Sequence, residues 1–136
     1  MSGRRTILIA DDVGEVRRLV ASFLQKLYGC EVVEARDGLE AALALFAGSI
    51  DLVITDLDMP GMGGLELAAL IRRSPATAHI PIVTLTLRDS DADRQRNDRF
   101  GIAAHLAKPF RPQQLRDALA QLGWMPTGQW AGRGGS

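Results

Sequence analysis

The chain holds a single cysteine, Cys30, among its 136 residues. One thiol cannot close an internal disulfide, and it offers none of the spacings of a thiolate metal site; it fits a reducing compartment. An excess of either charge is also missing, since 16 basic residues balance 16 acidic ones. A domain that tracks nucleic acid usually carries a basic surplus, so direct nucleic-acid binding is not expected. No long hydrophobic run occurs. The apolar stretch behind Arg4 and Arg5 is cut at Asp11 and Asp12, too soon for a secretory leader and far too soon for a membrane span. No membrane association is expected, and the cytoplasm is the default location. The glycines are not arranged for a nucleotide: Gly61, Gly63 and Gly64 precede a helical stretch, but Glu66 stands where G-x-G-x-x-G needs its third glycine. No G-x-x-x-x-G-K-[ST] run exists either, and these glycines are expected to shape a loop. No internal repeat or low-complexity tract precedes residue 123.

What is present is an alternation of strand and helix signals. Hydrophobic residues make up 46% of the chain, enough for a real core, and the length suits one domain. Thr6 to Ala10 is a continuous apolar run, as expected of a strand covered on both faces. From Val16, apolar residues recur at Leu19, Val20, Phe23, Leu24 and Leu27, which is helical spacing, and Gly29 follows as a stop. Residues 31–35 form a shorter, less apolar strand, expected near an edge. Asp37-Gly38 leads into a helix carrying Leu39, Ala42, Leu43 and Phe46. Residues 51–55 are the most apolar strand, 59–64 a Pro/Gly loop, 65–73 a third helix and 80–86 a fourth strand. A fourth helix is expected over 91–100, a fifth strand over 103–107 and a fifth helix over 112–122, with Pro112 in its first turn. Five such units in a row predict a doubly wound parallel sheet with helices on both faces, and ligands then bind at the carboxyl ends of the strands.

The acidic residues fall at those ends. Asp11 and Asp12 follow the first strand and Asp56 the third, while Thr86 ends the fourth and Lys108 follows the fifth. A single aspartate there would be read as a helix cap or turn residue. Three together repel one another, so the site is expected to raise a carboxyl pKa or recruit a cation. A hard divalent ion such as Mg²⁺ suits oxygen donors and phosphate oxygens. A carboxylate can also attack phosphorus and form an acyl phosphate, with Lys108 as a point charge on a phosphoryl oxygen and the Thr86 hydroxyl as a hydrogen-bond donor.

With these residues in place, "ILIADD" (7–12), "DLVITDLDMPGMGGLEL" (51–67), "PIVTLT" (81–86) and "AKPF" (107–110) resemble a response-regulator receiver domain of two-component signalling, of the chemotaxis-regulator kind. The resemblance spans roughly residues 4 to 122. It implies a flavodoxin-like fold with strand order 2-1-3-4-5 and five helices. It further implies Asp56 as phospho-acceptor, with Mg²⁺ held by Asp11, Asp12, Asp56 and the backbone carbonyl of Asp58. Lys108 is implied as the phosphate-pairing lysine, before a cis Pro109, and Thr86 as the switch hydroxyl. The implied donor is a sensor histidine kinase or phosphotransfer protein, and the implied recipient of the signal a downstream effector protein or domain; a homodimer on phosphorylation is left open. Such a protein is a signalling receiver that catalyses its own phosphorylation and dephosphorylation, not an enzyme acting on other substrates. Asp56-Leu57-Asp58 also has the D-x-D form of haloacid-dehalogenase-like phosphohydrolases, but there the motif ends the first strand, and here it ends the third. A receiver-shaped interaction module without phosphorylation is the other alternative.

Several positions depart from the family pattern. Leu87 stands where a small residue is usual, and is expected either to narrow the path to Asp56 or to turn into the core. His105 replaces the usual Tyr or Phe of the switch and would respond to pH near neutrality, or have no role at all. His79 is expected to be a loop residue. Asp58 and Arg88 flank the acceptor and are expected to pair across the site or tune phosphate lifetime. Residues 91–100 are nearly all polar, so that helix is expected to be loosely held, or else held by charge pairs such as Asp93 with Arg96. The receiver is expected to end at residue 123, with 124–136 a flexible tail or the start of a linker or docking segment; Trp124 is better placed than Trp130 to pack on the last helix. No effector domain follows, so a stand-alone receiver and a piece of a longer protein, such as a hybrid kinase, are both expected forms.

Overall fold

In the computed structural model, which describes residues 4–87 and 99–128, five strands lie parallel in the order β2-β1-β3-β4-β5. Along the chain they are β1 (Thr6–Ala10), β2 (Glu31–Ala35), β3 (Leu52–Asp56), β4 (Ile82–Thr86) and β5 (Ala104–Ala107). Helices α1 (Gly14–Tyr28), α2 (Gly38–Ala47), α3 (Gly64–Arg73) and α4 (Pro112–Gln121) connect or follow them. The doubly wound fold and strand order are those expected. The helix expected over 91–100, and Arg88 with it, lie almost wholly outside the described residues.

The strands divide one apolar core into two layers by their two-residue period. Ile7, Ile9, Ile54, Val83 and Leu85 pack with Phe23, Leu24 and Leu27 of α1 and with Leu115 and Leu119 of α4. Leu8, Ala10, Val53 and Ile82 turn the other way, onto Ala41 and Leu45 of α2 and Leu67 and Ile71 of α3. β3 and β4 are buried along their whole length, which is why they read as unbroken apolar runs. β2 is an edge strand, and its glutamates Glu31 and Glu34 stand exposed.

The helix starts have local causes. Asp37 caps α2 by accepting the Glu40 N–H at 2.8 Å, and Glu40 accepts the Arg36 N–H at 2.9 Å. Pro112 opens α4, where its missing N–H costs nothing. Gly29 ends α1 in the left-handed region, φ 63°.

The packed chain continues past residue 123. Trp124 is 5% exposed and meets Tyr28 edge-on, with ring centroids 6.3 Å apart. The Arg5 guanidinium lies 4.3 Å from the Trp124 ring centroid. The N–H groups of Thr127 and Gly128 then donate to the Leu27 carbonyl at 2.7 and 2.8 Å. The stretch 124–128, read from sequence as the start of a tail, therefore closes the amino-terminal end of the sheet.

Candidate functional site

Strand register brings the charges together. Ala10 is paired with Thr55, so the next residues, Asp11 and Asp56, lie side by side. Asp56 is paired with Leu85, which places Thr86 one step beyond it, and Thr86 is paired with Ala107, which places Lys108 next. The winding of the chain reverses between β1 and β3, and that is where a doubly wound sheet leaves a crevice.

Each side chain is held by backbone around it. Asp11 is fully buried; its Oδ1 accepts the Val13 N–H at 2.9 Å, and Arg17 donates to its carbonyl at 2.7 Å. Asp56 is 5% exposed, and its Oδ1 accepts the Asp58 N–H at 3.2 Å. Lys108 extends its Nζ to 2.9 Å from Asp11 Oδ2 and 3.3 Å from Asp56 Oδ2. The backbone N–H of Lys108 donates to the Thr86 carbonyl at 2.7 Å, fixing the β4 and β5 ends together, and the Lys108–Pro109 bond is cis. Thr86 is buried at the end of β4, while Asp12 and the Asp58 side chain are exposed. Gly64 lets α3 start against this floor, because a Cβ there would run into the Asp56 carbonyl. That close approach is what the glycine cluster before α3 provides.

The electrostatics follow from burial. Desolvation pushes the Asp56 carboxyl above its ordinary value, and the Lys108 charge and the Asp58 N–H offset part of the rise. For Lys108, burial favours the neutral amine, but the hydrogen bond and charge of Asp11 together with the charge of Asp56 outweigh it and hold the ammonium above its ordinary value. Carboxylate oxygens of Asp11, Asp12 and Asp56 all lie within 4.8 Å of one another. Asp11 Oδ2 is buried and faces the Lys108 ammonium at 2.9 Å. An acceptor-only oxygen in this setting fits a hard cation, and the set of donors suits Mg²⁺.

Two departures from the family pattern are placed. Leu87 does not turn into the core: it is 74% exposed and, with Val16, Leu19, Phe110 and Leu115, lines a groove of ≈ 550 Å³ that reaches Lys108. The strand has ended at Thr86, so the in-and-out alternation that would have buried Leu87 no longer applies. His105 is half-buried on β5 opposite Thr84, with Nδ1 2.9 Å from Thr84 Oγ1. His79 is exposed in the turn before β4. Sequence reasoning missed Arg17, which donates both to the Asp11 carbonyl and to Glu34 at 3.0 Å. Its place one turn into α1, three residues from the helix start, was the available signal.

Residues 7–120 match the response regulator receiver domain. The chain belongs to that family. The receiver is 34% identical over 116 residues to the chemotaxis protein CheY-3 of Vibrio cholerae, covering 85% of this chain and 89% of that protein. It is 30% identical over 116 residues to the chemotaxis protein CheY of Pseudomonas aeruginosa, covering 85% and 94%. Among solved structures, the chemotaxis protein CheY4 of Vibrio cholerae superposes with a TM-score of 0.82 at 32% identity, over 88% of this receiver and 98% of that chain. Receivers are signalling proteins of two-component systems that hold Mg²⁺ at an acidic pocket, and in this chain the acidic cluster is Asp11, Asp12 and Asp56. No helix among the described residues is long and apolar enough to cross a membrane.

Proposed function

We propose that this receiver accepts a phosphoryl group on Asp56 from a phosphohistidine of a sensor kinase or phosphotransfer protein, and that the modified form controls a partner protein or output domain. The observation that carries the reading is the bridging of Asp11 and Asp56 by the Lys108 ammonium at 2.9 and 3.3 Å. An Asp56 carboxylate oxygen attacks phosphorus, the P–N bond breaks, and its electron pair stays on the imidazole, which leaves neutral on taking a proton. The Asp11 and Asp12 carboxylates, one oxygen of Asp56 and the backbone carbonyl of Asp58 would hold Mg²⁺, which supplies charge neutralisation for the transferred group. Lys108 pairs with a second phosphoryl oxygen once its carboxylate partners are engaged. Catalysis here is positioning and charge neutralisation, since phosphoryl transfer asks little covalent chemistry of the protein.

In this reading Thr86, at the end of β4, donates its hydroxyl to the phosphoryl group, and His105 lies on the neighbouring strand β5. The apolar groove between Leu19 and Leu87 opens beside Lys108 and is the side from which the donor enters.

Incubation with acetyl phosphate and Mg²⁺, followed by intact mass measurement, tests the proposal. The expected result is a mass increase of one phosphoryl group that requires Mg²⁺ and is absent in Asp56→Asn. An unchanged mass, with no spectral response to beryllofluoride and Mg²⁺, would leave only a receiver-shaped interaction module.

A further inference from the structure

Helix α2 carries an apolar stripe on its outer side. Gly38, Ala41, Ala42 and Leu45 face the core, yet Leu39, Leu43 and Phe46 are 62%, 63% and 60% exposed. The steps of four and then three residues form the seam of a 3.5-residue repeat. A surface helix ordinarily fills that side with polar and charged residues, as α4 does with exposed Gln113, Gln114, Arg116 and Asp117. From Ala41 to Ile50 the sequence has no charged residue. Val33 of β2 is paired with Leu8, so it faces the same side of the sheet, and at 36% exposed it extends the patch.

We propose that α2 is a self-association surface, on which α2 of a second copy lies antiparallel about a two-fold axis at Leu43. Charge distribution selects this occupant. The amino-terminal end of α2 carries Arg36, Asp37 and Glu40, while the last turn has no basic residue to meet its carbonyls. Antiparallel pairing sets each copy's Arg36 against the other's bare carboxyl-terminal turn. Arg36 is free to serve both ends: its side chain is 73% exposed, and its contact with Glu40 uses the Nε–H at 3.0 Å, leaving the rest of the guanidinium fork. The neighbouring sheet edge is closed to strand addition, since Glu31 and Glu34 of β2 stand there with Arg4 and Arg17 at 3.2 and 3.0 Å.

Three side chains at this exposure bring roughly 350 Å² of apolar surface per copy. With Val33, Ala47 and the Arg36 stem the pair reaches the low end of specific interfaces, about 1,000 Å² in total. An interface of this size belongs to the weak, reversible class. It needs no phosphorylation and does not rest on the function proposed above.

Sedimentation velocity on the full chain, from about 5 to 500 µM, tests it. The weight-average mass should climb from one copy toward two, equally in wild type and in Asp56→Asn. Leu43→Glu and Leu43→Lys should each stay at the one-copy mass, and their equimolar mixture should associate again, because position 43 meets its own counterpart across the axis. A wild-type mass of one copy over the whole range would overturn the proposal. So would undiminished association in Leu43→Glu, or failure of the mixture when circular dichroism shows both variants folded. Binding of a monomeric wild type to phosphatidylcholine vesicles, lost in Leu43→Glu, would assign the stripe to a lipid surface instead.

Discussion

Lys108 bridges two carboxylates that would otherwise repel each other at the bottom of the crevice. Burial sets the balance at Asp56. Its folded-state pKa is raised, so ionisation costs the folded chain more than the unfolded one. Below the ordinary value of 3.8 the group is protonated in both states and contributes nothing to a difference between wild type and Asp56→Asn. As pH rises from there through the raised folded-state value, wild type loses stability relative to the variant, and the deficit persists at neutral pH. In metal-free buffer at pH 7, Asp56→Asn should therefore be the more stable protein in urea unfolding. At pH 3 the two should coincide. Added Mg²⁺ should narrow the gap: at ten times its dissociation constant it stabilises a one-site protein by about 1.4 kcal/mol, and Asp56→Asn, short of one carboxylate, should gain less. Equal stabilities in metal-free buffer across this pH range would remove desolvation as the cause of the raised value.

At the scale of elements, the strands were legible because β1, β3 and β4 are covered on both faces and therefore must be apolar throughout. The site was legible for a related reason: charges that interrupt such runs have to sit at strand ends, and parallel strands share one end. What could not be read was the direction of single side chains just past a strand, as Leu87 shows, or contacts between loops far apart in sequence. Arg72 is the clearest of these. From the last turn of α3 it donates to the carbonyls of Phe100 at 2.7 Å and Gly101 at 3.3 Å, and to those of Ala78 at 2.9 Å and Ile80 at 2.7 Å. It thus ties the segment entering β5 to the turn entering β4. The sequence reading placed it only inside the helix expected over 65–73. Arg72→Met should cost about 2–3 kcal/mol in urea unfolding, because carbonyls lose a charged donor and several are left without a partner. Arg72→Lys should recover little of this, since one ammonium cannot reproduce a planar fork that spans two loops. A lysine variant as stable as wild type would show that charge alone, and not the fork, joins the loops.

For the whole molecule, the two ends of the sheet do different work. The carboxyl end gathers Asp11, Asp56, Thr86 and Lys108, and the amino end is closed by residues that follow the last helix. That closure was only half legible. Trp124 does join the last helix, sharing a buried cluster with Leu115 and Leu119 and donating its N–H to the Leu119 carbonyl at 3.0 Å, but its further contacts with Tyr28 of α1 and with Arg5, ahead of β1, were not legible. The glycine-rich composition after residue 123 hid the docking of 124–128, because Gly128 is there to fit against the Lys26 carbonyl, where a Cβ would collide. A chain ended at residue 123 loses the buried indole and the two hydrogen bonds to the Leu27 carbonyl. It should be less stable than the full chain by about 3–4 kcal/mol, the range for removing a buried aromatic side chain. A chain ended at residue 128 keeps all of these contacts and should unfold at a higher urea concentration than the chain ended at 123. Both shortened chains should still gain a phosphoryl group from acetyl phosphate with Mg²⁺, measured well below the urea transition, since residues 124–128 pack at the opposite end of the sheet from Asp56. A chain ended at 123 that unfolds with the full chain would show that the indole only covers the end of the sheet without holding it. A loss of phosphorylation at full foldedness would show that the two ends are coupled through β1.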